Sequence, residues 1–116
     1  MISLAFVSIT SGKKVISKRA KLMTDASEQA IGLMFYKRGE ILMDIGRESI
    51  SFTAIHTWLC KAMDVVWLDG KKRVVDFVHA NPWKMYSPKK PARYVFETTE
   101  KKLNVKIGDK FSIKKI

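Results

Sequence analysis

The stretch MDVVWLDGKKRVVDFVHA, residues 63–80, decides how this chain folds. Its first six residues set Met63, Val65 and Trp67 against Asp64, Val66 and Leu68, so both alternating faces are largely apolar. A strand of that kind is central and covered on both sides. Asp69-Gly70 then supplies a tight-turn signal, and residues 73–80 resume the β pattern, which predicts an antiparallel hairpin.

Working outward, further β segments flank this hairpin. Residues 2–9, 15–23, 40–46, 49–60, 92–99 and 105–116 are short runs rich in β-branched or aromatic residues, most of them set off by Gly, Ser or Asp turns. The period changes once, in TDASEQAIGLMFYKRG (24–39). Thr24, Asp25 or Ser27 can cap a helix there, and Ala26, Ala30, Leu33 and Met34 share one face, which predicts a short helix around 25–35. The expected fold is mainly β, a single domain over 1–116 built as a β-sandwich or partly closed barrel with one short helix.

With 116 residues and 47% apolar content, the chain has the material for one core. No apolar run approaches the roughly 20 residues of a membrane helix. The opening MISLAFVSIT lacks a basic leader and a small-residue cleavage site, so it reads as a strand. The single cysteine, Cys60, excludes an internal disulfide framework and points to the cytoplasm. Lys and Arg number 22 against 11 Asp and Glu, a formal net charge of +11. Such a surface attracts nucleic acid or another polyanion; the competing reading is a solvated surface that keeps the protein soluble. The basic residues fall into three runs, at 13–21, 71–73 and 101–115, and only the fold can bring them together.

Four segments occur together in register: GLMF (32–35), IHTWLCKAMDVVWLDGKKRVVD (55–76), NPWKMYSPKKPARYVFE (81–97) and IGDKFSI (107–113). On these the chain resembles domain-of-unknown-function family 192, in its compact archaeal form, over roughly residues 14–113. The resemblance implies a small sandwich-like or barrel-like β domain that usually stands alone. It implies no activity and no catalytic set. The chain departs from the family pattern at Trp58-Leu59 and Ala62-Met63-Asp64, where an aromatic-Met pair and a Pro-hydrophobic-Asp triplet are usual.

Candidate chemistry is sparse. Asp64 and Glu97 both sit in apolar strands, where a carboxylate must be paired or hydrogen-bonded. They are either an acid–base pair with one raised pKa, or separate structural groups satisfied by Arg93, a lysine or backbone N–H groups. The structural reading is favoured. His56 and His79 lie 23 positions apart, with no metal-binding spacing, so neither metal nor cofactor is expected. Cys60 reads as a small hydrophobe in an apolar strand. No phosphate loop, nucleophile elbow or zinc-protease motif is present.

In NPWKMYSPKKPARYVFE, the prolines at 82, 88 and 91 hold the run out of helix and ladder. Trp83 and Tyr86 either stack on a base while Lys84, Lys89, Lys90 and Arg93 meet phosphate, or fold back as plugs over the core. The plug is favoured. The functional expectation is a non-catalytic binding module with a polyanion-seeking surface. Two alternatives stand beside it. One is a small-ligand protein or enzyme with a pocket near Asp64, Glu97 and residues 81–91. The other is an accessory domain anchored on partners by Trp58, Trp67 or Trp83.

Overall fold

The computed structural model describes residues 5–26, 29, 32 and 39–116. Nine strands follow in chain order: β1 (Phe6–Ser11), β2 (Lys14–Met23), β3 (Glu40–Ser49), β4 (Ile55–His56), β5 (Met63–Leu68), β6 (Val74–Ala80), β7 (Met85–Tyr86), β8 (Ala92–Thr98) and β9 (Ser112–Lys115). Seven form one sheet in the order β6-β5-β8-β3-β2-β1-β9, and β4 pairs with β7 as a separate ribbon. The fold is mainly β, as the patterning predicts. Neighbours are antiparallel except β2 and β3, which run parallel and need a crossover between them. The expected helix falls in that crossover. Gln29 N–H donates to the Asp25 carbonyl at 3.0 Å, and most of the rest of the predicted helix lies outside the described residues.

The sheet curls until its two ends meet. Arg73, just before β6, bridges antiparallel to Lys110, just before β9. Val74 N–H donates to the Asp109 carbonyl at 2.8 Å, and Phe111 N–H to the Lys72 carbonyl at 2.9 Å. The result is the partly closed barrel. Its interior packs Val7, Ile9, Ile16, Leu42, Val66, Leu68, Phe96 and Phe111.

A second core covers the outer face of the β5-β8-β3 region, where Met43, Met63, Val65, Trp67 and Val95 pack with Ile55. β5 is therefore buried at all six positions, as its two apolar faces require. It lies one strand in from the β6 edge, so it is covered on both faces without being the middle of the sheet.

Two expected strands are mostly absent. Of residues 49–60 only Ser49, the last residue of β3, and Ile55 and His56 are extended. Ser and Thr in this run bond locally: Phe52 N–H donates to Ser49 Oγ at 3.1 Å, and the Thr53 hydroxyl to the Ser49 carbonyl at 2.6 Å. Such bonds compete with a ladder and fold the run into turns. The tail turns as well, around Gly108 at φ +92°, and only Ser112–Lys115 joins the sheet. Residues 1–4, the start of the first expected strand, lie outside the described residues. Among the described residues no helix is long and apolar enough to cross a membrane.

A buried hydrogen bond pins the turn-rich cover to the sheet, from the Trp67 indole N–H to the Thr53 carbonyl at 2.7 Å. Trp67→Phe leaves that carbonyl without its partner and should cost about 1–3 kcal/mol in equilibrium denaturation. Limited proteolysis should then cut first within residues 49–60. Unchanged stability would show that the bond does not anchor the cover.

Candidate functional site

Asp64 and Glu97 do not form a pair. On neighbouring strands Asp64 stands opposite Thr98, and Glu97 opposite Val65. Alternation then sends the two carboxyls to opposite faces of the sheet. The His79 ring Nδ1 lies 2.6 Å from Asp64 Oδ1, and the Leu103 N–H donates to Oδ2 at 2.6 Å. That is the structural role expected of Asp64, with a histidine and a backbone amide as the partners. His56 does not join them. Its Nδ1 accepts from the Trp58 N–H at 3.3 Å in the outer cover, and its ring packs on Trp58 at 5.1 Å. The described residues contain no group of three or more His, Cys, Asp or Glu able to hold a metal.

Glu97 instead lines a cavity of about 260 Å³ on the outer side of the sheet. Met43, Ile45 and Val95 form its floor, with Phe52, Thr53, Ile55 and His56 from the cover and Gln29 and Gly32 from the crossover. Glu97 is only 4% exposed. Burial pushes its pKa from the ordinary 4.5 up to about 8, because a charge there loses its water. Cys60 nearby is likewise raised to about 11, first by burial and then by the Glu97 charge, so it is no activated nucleophile.

The proline loop divides its residues between the two readings. Tyr86 is half-buried against the outer core, and its hydroxyl accepts the Asn81 N–H at 2.8 Å, which makes it a plug. Trp83 is not one, being 64% exposed. Trp83 and Leu59 both hold positive φ, +64° and +61°, a strained conformation for large side chains. Thr57 braces both. Its carbonyl accepts from Trp83 N–H at 3.0 Å and from Cys60 N–H at 3.2 Å. Lys84, Lys89 and Lys90 are exposed.

Arg93 is occupied elsewhere. It reaches neither Asp64 nor Glu97, and its Nε and Nη2 bond Asp44 at 2.9 and 3.2 Å. Burial alone would raise the Asp44 pKa, but the Arg93 bonds and the Gly46 N–H outweigh it and hold the carboxyl below its ordinary value.

The basic runs meet on a surface the loop does not reach. The outer core stops short of β1 and β9, and of β2 it includes only Met23. Lys18, Arg19 and Lys114 stand exposed on that uncovered part of the sheet, whereas Lys115 stands opposite the interior residue Val7 and Lys14 donates to the Asn104 carbonyl at 2.7 Å. Lys114 pairs opposite Ser8, while Lys18 and Arg19 fill the register shift on the other side of Ser8. A basic row thus crosses three strands. The Arg19 guanidinium lies 3.8 Å over the Phe6 ring. Residues 5–23 and 110–116 contain no acid, and that was the sequence signal for this face. No signal marked Gln29, Gly32 or Phe52 as cavity residues.

Comparisons with known proteins agree with this architecture. The family model described as DUF192, Uncharacterized ACR, matches residues 7–113. The UPF0127 protein of Pyrococcus furiosus is 30% identical over 109 residues, covering 90% of this chain and 93% of that protein. The UPF0127 protein of Pyrococcus abyssi is 40% identical over 88 residues, 72% of this chain and 75% of its own. The crystal structure of a protein of unknown function from Novosphingobium aromaticivorans has a TM-score of 0.78 and 20% identity, over 92% of this chain and 83% of that one. The last likeness is one of fold.

Asp64→Ala removes the acceptor of the Leu103 N–H and should destabilise by about 1–3 kcal/mol, read by thermal or denaturant unfolding. For Glu97 the effect is tied to pH. The folded protein keeps its proton up to about pH 8, whereas an ordinary glutamate releases it near 4.5. Between those values the folded state binds more protons, so this group erodes stability as pH rises and erodes no more above about 8. The Tm of Glu97→Gln relative to the parent should therefore climb across that window and then level. A constant difference would mean that Glu97 ionises normally.

Proposed function

The chain belongs to the DUF192 family, and we propose that it acts as a non-catalytic binding module whose uncovered sheet face meets the phosphate backbone of nucleic acid. The observation that carries this reading is the acid-free row of Lys114, Lys18 and Arg19 across β9, β1 and β2. Adjacent strands lie about 4.8 Å apart, so the row spreads positive charge over roughly 10 Å of open sheet. A polyanion laid across it releases counterions, which supplies affinity without sequence preference. Phe6 adds a ring beneath Arg19, and the described residues offer no groove-reading helix or set of base-contacting side chains.

A surface that serves only solubility would scatter its lysines among acids. On this face they are not scattered. The turn acids Asp109 and Asp69 are engaged with backbone: Asp109 accepts the Lys106 N–H at 2.9 Å, and Asp69 accepts Lys71 and Arg73 N–H groups at 2.9 and 3.0 Å.

Fluorescence anisotropy with mixed-sequence single strands at increasing salt tests the proposal. Affinity should fall steeply with salt, by a slope of about 0.7 per phosphate neutralised. The triple variant with Lys18, Arg19 and Lys114 changed to Gln should shallow that slope by up to about two. Lys89→Gln with Lys90→Gln should leave it nearly unchanged. If the loop pair takes the larger effect, the site is the proline loop with the exposed Trp83. If the parent does not bind at low salt, the reading is wrong.

A further inference from the structure

Among the described residues Glu97 is the buried polar group without a hydrogen-bond partner. Every other polar side chain of the described cavity lining is engaged. The Thr53 hydroxyl donates to the Ser49 carbonyl, and the Thr53 carbonyl takes the Trp67 indole. The Gln29 amide nitrogen donates to the Met23 and Asp44 carbonyls, both at 2.9 Å. His56 accepts from Trp58 N–H through Nδ1 at 3.3 Å. Among the described residues nothing hydrogen-bonds the Glu97 carboxyl, although it is 4% exposed.

An unpaired buried polar group destabilises the folded state, and Leu or Met would suit this apolar wall better. The chain nevertheless places a carboxyl here and keeps the space beside it open. Gly32, at φ +54°, lies against it: a Cβ at that position would stand 3.6 Å from Glu97 Oε1. The cavity of about 260 Å³ exceeds what a benzene-sized guest needs. Its walls are mainly Met43, Ile45, Phe52, Ile55 and Val95.

We propose that this cavity binds a small, uncharged, mainly apolar molecule bearing a carbonyl, whose oxygen accepts a hydrogen bond from the Glu97 carboxylic acid. The site lies apart from the basic sheet face and does not depend on the nucleic-acid reading. Three features select the ligand class. Below a pH of about 8 Glu97 holds its proton and is a donor. A ligand ammonium would require both charges to be desolvated and Glu97 to ionise, for a pair that roughly breaks even in an apolar site. A ligand carboxylate would find no lysine or arginine among the described lining residues. Among the described residues the titratable groups that face Glu97 from the packed elements are His56 and Cys60 from the cover.

Cyclohexanone is the probe, with cyclohexylammonium as its charged counterpart, titrated into the full chain and followed by two-dimensional amide NMR. Cyclohexanone should shift the amides of Phe52, Ile55, Val95 and Glu97. Glu97→Met should weaken it about five- to tenfold, the worth of one hydrogen bond. Glu97→Gln, whose amide can also donate, should retain most of the affinity. Raising the pH well past the Glu97 transition near 8 should weaken cyclohexanone for the parent and leave the Gln variant unaffected. Glu97→Met should fold at least as stably as the parent, so its loss of binding reads the contact itself.

Three results would overturn the proposal. One is equal affinity in the parent and Glu97→Met. Another is no shift of the cavity amides at saturating ketone. The third is cyclohexylammonium binding more tightly than the ketone, and more tightly still as pH rises.

Discussion

The burial of β5 and β8 on both faces is the constraint from which the rest of the structure follows. A strand with one apolar face needs one partner layer, whereas Met63–Leu68 needs two. The inner layer comes from the sheet itself, which curls until Arg73 meets Lys110. The outer layer is a turn-rich cover that has little ladder of its own. It is held by the Trp67 indole bond to Thr53 and by the short β4–β7 ribbon. Among the described residues that cover extends only over the β5-β8-β3 side, and Lys18, Arg19 and Lys114 on the β2-β1-β9 side are exposed to solvent. One constraint thus produces both candidate sites: a cavity under the cover and a basic face where the cover ends.

The buried polar groups separate structure from function. Glu40 accepts hydroxyl hydrogen bonds from Ser17 at 2.6 Å and Thr98 at 2.7 Å, joining β2, β3 and β8. Asp64 joins β5 to His79 and to Leu103, and Asp44 joins β3 to Arg93. Each carboxylate is satisfied, and each sits where strands must keep register. Glu97 joins no other element among the described residues. A group whose burial raises its pKa to about 8 and whose removal should stabilise the protein has no evident structural use.

The two surfaces also answer to different physics. A polyanion on the basic face would be held through charge in water, at long range and subject to screening. A guest in the cavity would be held through apolar contact and one hydrogen bond, where bulk salt matters little. Trp83 and Leu59, exposed and held at positive φ around Thr57, lie in the cover close to the cavity residue His56, which pairs with Met85.

Much of this was legible in the residues. Period-two patterning marked β2, β3, β5, β6 and β8, because alternation is a local property of the pleat. The two apolar faces of MDVVWL required a covered strand before any neighbour was known. The family followed from four motifs in register, and the acid-free runs announced a basic surface. The misses are also physical. Ser49 and Thr53 turned an apparent strand into turns, because their hydroxyls found backbone partners closer than any ladder. Asp64 and Glu97 looked alike in sequence, both being carboxyls within apolar strands. Their fates were set by the pairing of Asp64 with Thr98 and Val65 with Glu97, which sends the two side chains to opposite faces. Sequence therefore determined which segments are strands and which surfaces are charged, since both depend on near neighbours along the chain. Only the tertiary structure decided which carboxyl finds a partner and which faces a cavity, because register and sidedness arise between segments far apart in sequence.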